Sequence, residues 1–263
     1  MSDIVKHAKS WAITAGRFLP TSIKRPIFHF AFASDPDEFA RFAFDYASAP
    51  NQERVLQNMA NAGFCPRTIV DVGAYQGEWS KMAKSVWPDA HLIMVEPNKE
   101  LMDHLKVIAS KLKAALHCEL LGESDGKEVP FHVMGSGSSV MSERSDFPRT
   151  TEVRALITLD SLLAGGLAVD FLKIDAQGYE LAIINGAENV LKNVQAVLLE
   201  IALIEVNEGC PILHEVLSHM FDRGFVTYDI LEMHRRPIDQ ALCQIDVLFC
   251  RPDATIRANK RFE

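Results

Sequence analysis

Four acids stand near the ends of apolar runs: Asp71 in "RTIVDVG", Glu96 in "HLIMVEP", Asp175 in "VDFLKID" and Glu200 in "VQAVLLEI". If these runs are parallel strands of one sheet, the acids share one rim. Ligands of open α/β sheets bind outside that rim. Acids gathered there suit a ligand with hydroxyl, amino or cationic groups. The first acid leads into "GAYQG" (73–77), followed by a helix-like stretch. Glycines at a strand-to-helix turn let the backbone approach a nucleotide-like molecule closely.

The spacing narrows the choice. A dinucleotide loop needs G-x-G-x-x-G, and a P-loop needs G-x-x-x-x-G-K-[ST]. Here Gly73 and Gly77 are separated by Ala74, Tyr75 and Gln76, and no Lys-Ser or Lys-Thr follows. Asp71 and Glu78 flank the turn without a basic residue, which is poor chemistry for phosphates. The loop suits a cofactor with a cationic centre and an amino group. Glu96 lies 19 residues beyond Gly77, where an acid can accept from ribose hydroxyls. That feature serves NAD and S-adenosylmethionine (SAM) alike.

The elements that must position these residues follow from periodicity. Positions 1–62 read as a helical N-terminal extension, with "DPDEFARFAFDYAS" and "NQERVLQNMANAGF" as helix patterns. Strands are expected at 67–73, 91–97, 115–121, 169–175 and 194–201, with helices near 77–86, 98–113 and 179–192. Pro130 marks "KEVPFHV" as an edge strand. "GSGSSVMSERSDFPRT" reads as a polar loop and "VRALITLDSLL" as a strand leading into a short helix. "CPILHEVLSHMFDRG" is a helix with proline near its start and glycine beyond its end. Apolar strands alternating with helices imply a mostly parallel sheet covered on both faces. The last two strands, 225–231 and 243–251, are joined by a short polar stretch that favours an antiparallel hairpin.

At this point the blocks form a pattern. "VDVGAYQGEWS", "MVEPN", "ITLDSLL" and above all "FLKIDAQGYELAIINGAENVL" resemble the FkbM-type methyltransferases, a SAM-dependent class I family. "VLLEIALIEVNEGCPILHEVLSHMFDRGF" and "QIDVLFCR" continue the likeness, which spans roughly 65–251. The resemblance implies a Rossmann-like seven-stranded sheet with an antiparallel last strand. It implies SAM held by Asp71, Gly73, Ala74, Tyr75, Gln76 and Gly77, with the ribose on Glu96 beside Pro97. Adenine falls near "LLGESDG", where Glu123 is the best match and Ser124 and Asp125 are alternatives. Asp175 matches the acid of the "KIDxxGxE" block, beside the methionine end of SAM. Members mainly methylate hydroxyl groups, often on sugars or natural products.

A sugar hydroxyl is weakly acidic, so a base or a metal would help remove its proton. Asp175 ranks first as that base, then Glu200, Glu205 and His214. The competing role for Asp175 is to orient SAM or the acceptor. For Glu200 it is to cap a helix or pair with Lys173. Glu180 reads as a helix N-terminal acid, and Tyr75 and Trp79 as pocket walls or core. The "GSGSSV" loop is either a cover over the acceptor or a connector. His214 and His219 are five apart, so they do not form an i, i+4 metal pair. The expected metal set is none, with a carboxylate-held divalent ion left open.

The chain has 263 residues, 48% hydrophobic and 24% charged, enough for one large α/β domain. We expect an extension over 1–62, a methyltransferase domain over 63–252 and a tail over 253–263. The net charge of −8 argues against a general polyanion binder. Positions 1–34 nevertheless carry five basic residues against one acid. Their competing readings are a helix packed on the body and contact with an anionic membrane surface. Cys65, Cys118, Cys210, Cys243 and Cys250 are scattered, which fits a reducing compartment and a cytoplasmic location. No nucleic-acid partner is expected. The expected function is SAM-dependent O-methyl transfer to a sugar, glycan or natural product. The alternatives are an NAD(P)-dependent oxidoreductase and an inactive SAM-binding module.

Overall fold

A computed structural model describes residues 49–262. The expected helices before position 49 and the basic lead lie outside the described residues. The unit treated below begins at Pro50.

The described elements run α1 (Gln52–Asn61), β1 (Thr68–Val72), α2 (Glu78–Val86), β2 (His91–Val95), α3 (Met102–Leu112), β3 (Ala115–His117), β4 (Leu120–Leu121) and β5 (Glu128–Val133). They continue with β6 (Thr150–Ile157), α4 (Leu159–Leu162), β7 (Phe171–Ile174), α5 (Glu180–Asn185), β8 (Ala196–Ala202), α6 (Leu213–Asp222), β9 (Val226–Arg235) and β10 (Leu242–Cys250). Among these residues seven strands form one sheet in the order β3-β2-β1-β7-β8-β10-β9. Strands β3, β2, β1, β7 and β8 pair in parallel, and β10 is antiparallel to both neighbours. This is the expected Rossmann-like sheet, with its antiparallel last strand.

Side chains alternate across a sheet, so each strand feeds two cores. On one face Val70, Val72, Leu172, Ile174, Val197, Leu199 and Val247 pack with Ile183 and Ile184 of α5 and Val216 and Met220 of α6. On the other, Ile69, Phe171, Leu198 and Leu248 pack with Leu56 and Met59 of α1, Ala83 of α2 and Leu105 of α3. Phe64, Trp79 and Trp87 meet the Phe171 ring edge to face, with centroids 5.7–5.8 Å away. Trp79 is therefore core rather than pocket wall. Asn51 starts α1 by accepting the Arg54 N–H at 2.8 Å.

Three expectations change. "ALHCELL" is two strands: β3 pairs with β2, whereas β4 pairs with β6 in a separate sheet ordered β4-β6-β5. Strand β5, with Pro130, is an edge of this smaller sheet. The helix expected over 179–192 stops at Asn185: its cap Gly186 lies against the Gly122 backbone, and the Gly186 carbonyl accepts the Asp160 N–H at 3.0 Å instead of continuing the helix. A Cβ there would meet Gly122 O at 2.0 Å. Finally, β9 continues past Leu231 to Arg235, through residues that read as linker. That extension carries His234 into the site.

Candidate active site

A cleft of about 880 Å³ opens at the carboxyl ends of the parallel strands. Val72, Gly73 and Tyr75 line it from the β1 turn, Glu96 and Pro97 from the β2 end, and Asp175 and Gln177 from the β7 end. Glu200 of β8 and His234 of β9 form the far side. Leu120, Leu121, Phe131 and the 134–140 segment supply a wall from the smaller sheet. Most of the expected acids therefore do share one rim.

Register explains the polar row. Asp71 stands beside Lys173, and both share the α1–α3 face with Ile69 and Phe171, alternating with Val70, Val72, Leu172 and Ile174 of the other core. Asp71 is fully buried. Its Oδ2 accepts from Ser80 of α2 at 2.6 Å, and its Oδ1 is 3.2 Å from Lys173 Nζ. Burial pushes the Asp71 carboxyl up, against the pull of Lys173 and Ser80. Burial pushes the Lys173 ammonium down, but Asp71 and then Asp175 outweigh it and raise it. The ammonium also donates to Gly73 O at 2.9 Å and stands 3.4 Å from Asp175 Oδ2. Lys173 thus ties the β1 turn to the β7 end, and Asp71 sits behind the turn as its counter-ion. The competing roles of Glu200, a helix cap or a pair with Lys173, give way to amide partners.

The β1 turn itself is held from the β2 side. Glu96 Oε2 accepts the Tyr75 N–H at 2.8 Å, and Oε1 accepts the Asn98 N–H at 2.9 Å. Burial raises the Glu96 carboxyl, while these two N–H groups oppose the shift. Gly73 leaves almost no space between the turn and the Asp175 carbonyl. Ala74 is buried, Gln76 is exposed with its amide 3.2 Å from Tyr75 Oη, and Gly77 caps α2. These three shape the turn without lining the cleft.

At the β7 end the turn 175–178 is fastened by Glu180. Its Oε1 accepts from Ala176 N–H at 2.9 Å and Gly178 N–H at 3.1 Å. Burial lifts this carboxyl to about 7 despite those bonds. Gln177, which no motif in the sequence marks, donates from Nε2 to Asp175 Oδ1 at 2.9 Å and to Glu200 Oε2 at 2.5 Å. Its backbone has φ +53°, an unusual conformation for a residue with a side chain. Gln244 Nε2 adds a 3.2 Å bond to the same Glu200 oxygen. Glu200 keeps some surface open to the cleft, yet protein surrounds its carboxyl. That desolvation, then Asp175, Asp246 and Glu180, hold it well above the usual carboxylate range.

Other expected residues stand elsewhere. Glu123 is exposed, pairs with Lys127 at 3.2 Å and does not line the cleft; Glu119, Leu120 and Leu121 do. Asp125 accepts from Thr158 N–H and Ser161 Oγ, each at 2.6 Å, at the start of α4. Glu205 pairs with Arg144 at 2.9 Å and accepts the Gly209 N–H at 2.7 Å. His214 is exposed on α6. The "GSGSSV" segment is tied to the site: Ser139 Oγ donates to Gln177 O at 2.9 Å.

Residues 71–227 match the methyltransferase FkbM domain family, which covers more than half of the chain. The chain belongs to this family. The match begins at Asp71 in β1 and ends within β9. No curated protein matches the chain. Among solved structures it is similar to a Methyltransferase FkbM from Methylobacillus flagellatus KT at 16% identity and TM-score 0.48. That likeness covers 94% of this chain and 60% of the other. A precorrin-6y C5,15-methyltransferase from Geobacter metallireducens GS-15 is 11% identical with TM-score 0.44, over 76% and 86% of the two chains. Aeropyrum pernix fibrillarin, crystallised with S-adenosyl-L-methionine, is 15% identical with TM-score 0.42, over 75% and 76%. No helix among the described residues is long and apolar enough to cross a membrane.

Proposed function

We propose that this FkbM-family enzyme is a SAM-dependent O-methyltransferase that modifies a hydroxyl of a sugar, glycan or natural product. The observation that carries the reading is the pairing of a tight, acid-backed β1 turn with Glu96, Asp175 and Glu200 along one cleft. The residues present fit the cofactor. Each Glu96 oxygen takes one backbone N–H, and a carboxylate oxygen has a further acceptor site for a ribose hydroxyl. The turn offers carboxylates and carbonyls, and the ammonium of Lys173 beside it is engaged by Asp71 and Asp175. We assign the cofactor to Gly73, Tyr75, Glu96 and Pro97, with Ala74, Gln76, Gly77 and Asp71 shaping the turn.

Bound SAM supplies an electrophilic methyl on a positively charged sulfur. The residues of the chain must align the acceptor oxygen with it and take up the hydroxyl proton. We assign the proton to Asp175, whose side chain is 36% exposed and faces the cleft. Glu200 is shielded and shares the Gln177 amide, so it orients Asp175 through that bridge. Phe131 and the 134–140 segment form the acceptor side.

The test is transfer of labelled methyl from SAM into cell-envelope glycans and nucleotide-sugars. Product released as a methyl ether by wild type and lost in Asp175→Asn supports the reading. Protection from thermal unfolding by NADH and not by S-adenosylhomocysteine (SAH) overturns it.

A further inference from the structure

Three strand residues converge on the far side of the cleft. Gln244 and Asp246 are two apart on β10 and so share a sheet face. Asp246 pairs across with Glu200 of β8, and Gln244 pairs across with His234 of β9. Glu200, His234 and Asp246 therefore project together, and one ligating atom from each lies within 4.8 Å of the others. Asp246 Oδ1 stands 4.0 Å from His234 Nε2.

Two features separate this trio from an ordinary group of surface acids. The first is an imidazole grouped with two carboxylates across three neighbouring strands, a mixed nitrogen–oxygen donor set on a rigid frame. The second is how the acids are held. Gln52 donates to the other Asp246 oxygen, Oδ2, and Gln177 and Gln244 both donate to Glu200 Oε2. Neutral amides thus orient each acid without neutralising it, as outer partners of metal ligands do. The nearby ammonium of Lys173 is engaged by Asp71, Asp175 and the Gly73 carbonyl. Glu232 adds a further carboxylate, bonded to Gln52 at 2.8 Å.

We propose that Glu200, His234 and Asp246 bind a divalent cation of the Mn²⁺ type. Carboxylates suit Mg²⁺ and Mn²⁺, whereas imidazole suits the transition metals, and Mn²⁺ accepts both. Glu200 and His234 line the cleft, so open coordination positions face the acceptor. This deepens the methyltransferase reading and rests on it: the cation would ligate the acceptor hydroxyl and make its proton easier to lose. The proton then passes to Asp175.

The experiment is titration of Mn²⁺ into the full chain after treatment with EDTA, with free Mn²⁺ followed by electron paramagnetic resonance. The expected result is one bound Mn²⁺ per chain. His234→Gln, a partly exposed position, should keep the circular dichroism spectrum and bind at least tenfold more weakly. Asp246→Asn should do the same. No bound Mn²⁺, or equal binding by wild type and His234→Gln, overturns the site. SAH is titrated into the same samples. Mn²⁺ binding without SAH binding keeps the site and removes the methyltransferase reading. SAH binding without Mn²⁺ binding does the reverse.

Discussion

Gly73 and Asp175 touch through their backbones: a Cβ on Gly73 would lie 1.9 Å from the Asp175 carbonyl oxygen. The β1 turn and the β7 end therefore interlock, and neither can move without the other. Gly73 also has φ +71°, where a side chain is strained. Gly73→Ala should cost ~1–2 kcal/mol for the left-handed backbone and ~1–3 kcal/mol for overpacking. Urea unfolding measures the loss, and SAH titration should show weakened binding in whatever remains folded.

Lys173 and Asp71 are a buried pair on neighbouring strands, 3.2 Å apart. Lys173→Met strands a fully buried acid, so it should destabilise by about 3–5 kcal/mol. Asp71→Asn with Lys173→Met should cost less than the sum of the single changes. A double-mutant cycle in urea checks this, and additive losses would contradict the pairing.

Gln177 holds Asp175 and Glu200 with one amide. Gln177→Gly should relieve about 1 kcal/mol of backbone strain while removing the bridge. Stability should hold or rise. The rate of methyl transfer should fall roughly tenfold or more through lost positioning, with SAH affinity nearly unchanged. Equal loss of SAH affinity would place Gln177 in cofactor binding instead.

Glu180 makes stability depend on pH. Its carboxyl is near 4.5 when unfolded and about 7 when folded. Between those values the folded chain holds a proton that the unfolded chain has released. Stability therefore falls as pH rises from 4.5 to 7, then levels. Glu180→Gln keeps an acceptor oxygen for Ala176 and Gly178 and should remove this slope. Urea unfolding at pH 5 and pH 8 should show wild type losing on the order of 2 kcal/mol more than the variant over that interval.

Much of this site was legible because chemistry and periodicity coincided. Asp71, Glu96, Asp175 and Glu200 each close an apolar run, and parallel pairing brings run ends to one rim. The Asp71–Gly77 spacing by itself distinguishes the turn from phosphate loops. What stayed hidden depended on partners distant in sequence. "ALHCELL" has one apolar pattern, but β3 and β4 answer to different strands. The end of α5 at Asn185 falls where Gly186 packs against Gly122 and accepts from Asp160, partners distant in sequence. His234 sat in "MHRRP", where the apolar pattern fades because β9 is an edge strand. Gln177 carries no sequence signal, since its role comes from a left-handed backbone that aims its amide at two acids. Glu123 matched by position, while Glu119 entered the cleft lining through the break between β3 and β4.

We propose that SAM binds the cleft between the β1 turn and Glu200 with its ribose on Glu96. Isothermal titration of SAH into wild type and Glu96→Gln measures this assignment. One SAH should bind per wild-type chain, and a folded Glu96→Gln should bind it at least tenfold more weakly. Absence of SAH binding by wild type, or equal affinity in the two proteins, would contradict it.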